Sequence, residues 1–179
     1  MLNNLFKPVD DEQKSVYQEA IDIIDSNIEE FFSIKTGVDP RLPKYKWVTI
    51  DEVQDIHKRI ISKLGGCVAV HNLQDLKYAI ENPLTDIDGI PSKTIFERIC
   101  LCTFSLCKCF VDCGAQTSAT IFILLCKINN IQISLKRGEI YDIFPKIVDY
   151  SMSYDEFYER MISNIMPTIK IKTGPAVME

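Results

Sequence analysis

Between residues 108 and 117 the chain reads Lys-Cys-Phe-Val-Asp-Cys-Gly-Ala-Gln-Thr, a polar, glycine-containing interruption between two apolar segments. Two side chains in it could move a proton or balance a charge, Lys108 and Asp112, and Asp112 is also the candidate metal ligand. The first backbone N–H groups of a helix lack intrahelical acceptors, and the helix dipole adds positive potential there. A loop leading into such a helix start suits an anion, with Phe110, Cys113, Gly114, Ala115, Gln116 and Thr117 as the binding candidates. Gly114 permits close approach of a ligand or of another backbone. The same residues also suit a plain packing junction between two buried helices, and on their own they leave both readings open.

Cysteine is the other residue type with chemistry to offer. Five of the seven, Cys100, Cys102, Cys107, Cys109 and Cys113, fall within fourteen residues, with Cys67 and Cys126 outside. The spacings differ from the paired Cys-x2-Cys of structural zinc, and His57 and His71 are distant in sequence. Thiols also pack as small hydrophobes, so these read as reduced core residues, with a metal or redox role as the alternative. His57 follows Val53 by one helical turn and reads as a partly buried structural histidine.

The elements that must position these residues are helical. Asp10 to Gln13 has capping-box spacing, and Tyr17, Ala20, Ile21, Ile24, Ile28 and Phe31 recur at helical intervals, which predicts an amphipathic helix over 11–34. Gly37, Pro40 and Pro43 make 35–46 a linker. Thr49-Ile-Asp-Glu52 opens a second helix with Val53, Ile56, Ile60, Ile61 and Leu64 on one face, stopped by Gly65-Gly66. Asn72 caps a short helix that Asn82-Pro83 ends, and 84–90 reads as a loop or small hairpin.

From Pro91 to about Cys109, and again from Thr117 to Cys126, nearly every residue is apolar or small, which predicts two central helices flanking the candidate loop. Asn129-Asn130 closes the second of them. Helices over about 139–149 and 154–164 follow, the latter behind a Ser153-x-x-Glu156 capping box, and 168–172 is a coil or marginal edge strand. The expected class is all-α: a bundle around a buried helix-loop-helix, with a small β-hairpin flap as an option. The expected units are an N-terminal helix and linker over 1–46, a domain over 47–165 and a tail over 166–179.

Composition narrows the function classes. At 179 residues, with 46% apolar and 25% charged residues, the chain is expected to fold as one domain with an appendage. A net charge of -5 argues against nucleic acid as a partner. No stretch has the roughly 18 to 20 apolar residues of a membrane span, and the start of the chain has no signal-peptide pattern, so a cytoplasmic protein is expected.

Three separated segments carry a resemblance. Trp47-Val-Thr-Ile-Asp-Glu-Val-Gln-Asp-Ile-His57 with Gly65-Gly66, then Asn72 to Pro83, then Phe110-Val-Asp112 at the matching distance, together resemble the death-on-curing (Doc) branch of the Fic/Doc family over about 47–165. The family loop runs His-x-Phe-x-Asp/Glu-Gly-Asn-Gly/Lys-Arg. Its His deprotonates a hydroxyl of a target protein, its Asn, Lys and Arg hold nucleotide phosphates, and its acid serves magnesium.

The resemblance therefore implies transfer of AMP or phosphate from a nucleotide with magnesium, and a protein partner, either a target or an antitoxin-like chain. In this sequence Lys108 stands at the histidine position, Cys113-Gly114 at the Gly-Asn pair, Ala115 at Gly/Lys and Gln116 at the arginine, while Phe110 and Asp112 persist. A lysine ordinarily titrates near 10.4, far above what a general base needs, and loss of the cationic residues removes the phosphate clamp. The expectation is a pseudoenzyme that binds a protein or an anion. The alternative is a diverged, toxin-like transferase using Lys108 and Asp112. Some family members block their own site with a helix whose Glu pairs with the loop Arg; Ser26-Asn-Ile-Glu-Glu30 resembles that motif, but Gln116 cannot form the pair. Residues 11–34 thus read as a packing or partner-binding helix.

Overall fold

The computed structural model describes residues 44–86 and 93–167, together with the single residues Asp22 and Arg41. Most of the expected helix over 11–34 and of the linker over 35–46, the end of the 84–90 loop with Pro91, and the 168–172 tail lie outside the described residues. The rest is mainly helical: α1 (Ile50–Leu64), α2 (Leu73–Glu81) with a 3-10 turn (Asn82–Leu84), α3 (Ile95–Leu106), α4 (Gly114–Ile128), α5 (Arg137–Val148) and α6 (Tyr154–Ile162). Among the described residues no helix is long and apolar enough to cross a membrane.

Local chemistry sets the helix starts. Thr49 and Ser153 form the expected capping boxes with Glu52 and Glu156, and Asn72 accepts from the Gln74 N–H. Thr94 and Glu97 form a further box, which fixes the start of α3 at Ile95. Each such cap is worth about 1 kcal/mol against alanine. Gly65, at φ +80, ends α1, and Asn130, at φ +56, follows the end of α4. Proline in a helix interior removes a donor and crowds the preceding turn. Even so, α5 runs through Pro145.

Eleven of the fifteen residues of α4 are buried, so it is the central helix, and α1, α3 and α5 pack against it. The aromatic rings of Phe122, Phe144 and Phe157 meet pairwise at 5.5 to 6.4 Å between centroids, joining α4, α5 and α6. Of these, Phe122–Phe157 and Phe144–Phe157 are edge-on pairs, which add about 0.5–1.5 kcal/mol each beyond area burial. Lys46 and Asn129 exchange two hydrogen bonds of 2.9 and 3.0 Å, which holds the start of the domain against the C-terminal end of α4. At the far end an isolated antiparallel bridge joins Val70 to Phe110, and another, between Ile133 and Ile165, ties the segment after α4 to the end of α6.

The two central helices differ from expectation at the loop. α3 stops at Leu106, before the expected end near Cys109, and α4 begins at Gly114, ahead of the expected Thr117. The reason is backbone conformation. Cys113 adopts the left-handed region, φ 53, which turns the chain straight into a helix without a side-chain cap. The loop is consequently shifted towards the N-terminus, to 107–113, with its length unchanged.

Candidate functional site

The loop is built from three directions. The segment after α1 runs alongside it: the His71 N–H donates to the Cys109 carbonyl at 2.9 Å, and the Val111 N–H to the Ala69 carbonyl at 3.1 Å. The Cys67 N–H donates to Asp112 Oδ2 at 2.8 Å. Behind the loop, His57 of α1 stacks on Phe110, with ring centroids 4.1 Å apart, and its Nδ1 shares a 2.9 Å hydrogen bond with Thr117 Oγ1 of α4.

His57 is 1% exposed, more deeply buried than its expected partly buried role. Burial lowers its pKa, opposed by the Cys67 backbone and the Asp112 charge, so the neutral imidazole is favoured in the fold. Among the described residues its Nε2 has no hydrogen-bond partner. Ser118 Oγ, one residue after Thr117, is likewise buried and without a hydrogen-bond partner among the described residues, although it lies near enough to the Cys107 thiol to favour its thiolate.

The candidate residues have different neighbours. Lys108 Nζ sits 3.7 Å from the centroid of the Tyr150 ring and 5.9 Å from that of Phe104, a cation–π arrangement. Asp112 is exposed and committed to the Cys67 N–H. Phe110 and Thr117 are buried on either side of His57, and Ala115 is buried as well. Gln116 and Cys113 are half-buried. A methyl group at Gly114 would lie 2.3 Å from the Cys107 carbonyl oxygen, so the start of α4 is pressed onto the end of the preceding turn.

The chain matches no protein-family model and no curated protein.

The cysteines divide by burial. Cys100, Cys102, Cys107, Cys109 and Cys126 are buried, Cys113 is half-buried and Cys67 exposed, and all seven are free thiols. Burial pushes the Cys107 thiol up to about 12 and the Cys109 thiol up to about 11. Thiols held this far above neutrality are poor nucleophiles, because the thiolate is the reactive form. The five buried thiols accord with the core reading, whereas half-buried Cys113 and exposed Cys67 depart from it.

Three participants were missed by sequence reasoning. His57 was read as structural but not as the residue that ties Phe110 to Thr117. Cys67 and Gly66 were not placed at the loop at all, yet a methyl at Gly66 would lie 3.1 Å from Asp112 Cβ. The signal available was the run Cys67-Val-Ala-Val-His71 behind two glycines, whose composition suits an extended segment.

Proposed function

We propose that residues 47–165 are a Fic/Doc-like domain that has lost transferase chemistry and serves as a protein-interaction or anion-binding module. The observation that carries this reading is Gly114. The family pattern has an asparagine there, whereas any side chain on this backbone would strike the Cys107 carbonyl oxygen at 2.3 Å. The departure from the family loop therefore extends to the path of the main chain. Lys108, at the base position, is engaged with Tyr150 at 3.7 Å, and Gln116 brings no charge for a phosphate.

A protein partner, whether an antitoxin-like chain or a former target, has an apolar foothold beside the loop. Val68 and Val111 are about half exposed, 52% and 46%, on two segments joined by the Val111–Ala69 hydrogen bond. The alternative, a diverged enzyme that uses Lys108 and Asp112 with a nucleotide and magnesium, needs those residues to act on one reacting group. Their different neighbours favour the first reading.

The expected result is no transfer of label from radiolabelled nucleotides to lysate proteins in the presence of magnesium. Label transfer that vanishes in Lys108→Ala or Asp112→Ala would overturn the proposal.

A further inference from the structure

At the end of α4 remote from the loop lies a groove of about 390 Å3. Phe122 and Cys126 are buried at its base, Ile123, Ile131 and Ile133 are half-buried along its walls, and Lys127 and Arg137 supply positive charge. An apolar groove with cations beside it fits an amphipathic helix whose polar face is acidic.

The chain contains a segment of that description. Over 11–34, the apolar residues from Tyr17 to Phe31 recur at helical spacing, and the segment carries seven carboxylates against one lysine. Asp22, within it, is helical and exposed, in keeping with its position off the apolar stripe. A lone amphipathic helix is marginal in water, so its stripe needs a surface to cover.

The point of attachment fits too. The linker meets the domain at Lys46, which is hydrogen-bonded to Asn129, and Asn129 lies between the groove residues Lys127 and Asn130. Arg41 lines a cleft along α2, and the residues 35–41 that connect it to the end of the 11–34 segment reach about 24 Å when extended. That cleft sets Asp75 and Glu81 against Lys77 and Arg41, so it lacks the positive surplus of the groove.

We infer that residues 11–34 form a helix that docks into the groove at the C-terminal end of α4, its apolar stripe against Ile123, Ile131 and Ile133 and its carboxylates facing Lys127 and Arg137. The contact is intramolecular and independent of any partner at the loop.

Zero-length carbodiimide cross-linking of the full chain at low concentration tests this. The expected product is monomeric, with Lys127 joined to carboxylates within 11–34. A companion measurement is hydrogen exchange on the Ile24→Asp/Ile28→Asp variant, where amides over 122–135 should exchange at least about tenfold faster while those of α1 hold their rates, as expected for loss of a local cover. Cross-links from 11–34 only to the α2 side, cross-links only between chains, or exchange over 122–135 unchanged in the variant would each overturn the inference.

Discussion

Gly114 and Gly138 both stand near the start of a helix, yet alanine should act on them in opposite directions. At 114 a methyl group meets the Cys107 carbonyl at 2.3 Å, whereas at 138 nothing lies within 4 Å. Alanine is the better helix former, and it also restricts the unfolded chain. Gly138→Ala is therefore expected to stabilise by about 0.4–1 kcal/mol. Gly114→Ala should destabilise by about 1–3 kcal/mol, because the turn and α4 must separate to accept the methyl group. Urea unfolding of the two variants checks this, and a stabilised Gly114→Ala protein would refute the close contact.

At the scale of elements, α3 is held by a buried arginine. Arg98 is 2% exposed, and its guanidinium donates to the Pro83 carbonyl at 2.7 Å and the Lys93 carbonyl at 3.3 Å, and pairs with Asp86. It thus clasps the chain on both sides of residues 87–92. Removing one partner of a buried charged pair strands the other, so Arg98→Ala should cost about 3 kcal/mol. Loss of less than about 1 kcal/mol in thermal unfolding would show the clasp to be dispensable.

The helices themselves were legible because capping chemistry is local: Thr49, Asn72 and Ser153 act as their spacing implied. The loop ends were not legible, since a left-handed Cys113 carries no side-chain signature. Neither was the Arg98 clasp, which depends on carbonyls five and fifteen residues earlier, at Lys93 and Pro83. The candidate site was half visible. Phe110 and Thr117 were named as binding residues, and the structure shows them gripping His57, a relation across sixty residues that no periodicity encodes.

For the molecule as a whole, the seven thiols report its integrity. Thiolates attack aromatic disulfide reagents, so Cys67, the exposed one, should react first and half-buried Cys113 more slowly. The five buried thiols should remain silent until the protein unfolds. Reaction of Cys102 or Cys126 in the native protein, both 4% exposed or less, would show that the core opens without global unfolding. The tight seam between Cys107 and Gly114 carries a further consequence, for ancestry. If the loop descends from an active Fic/Doc loop, a return to asparagine at 114 meets a steric barrier before any catalytic benefit can appear, and restoring the histidine or arginine alone leaves that barrier standing. Reversal would be contingent on neighbouring changes in the turn, so the path back is epistatic.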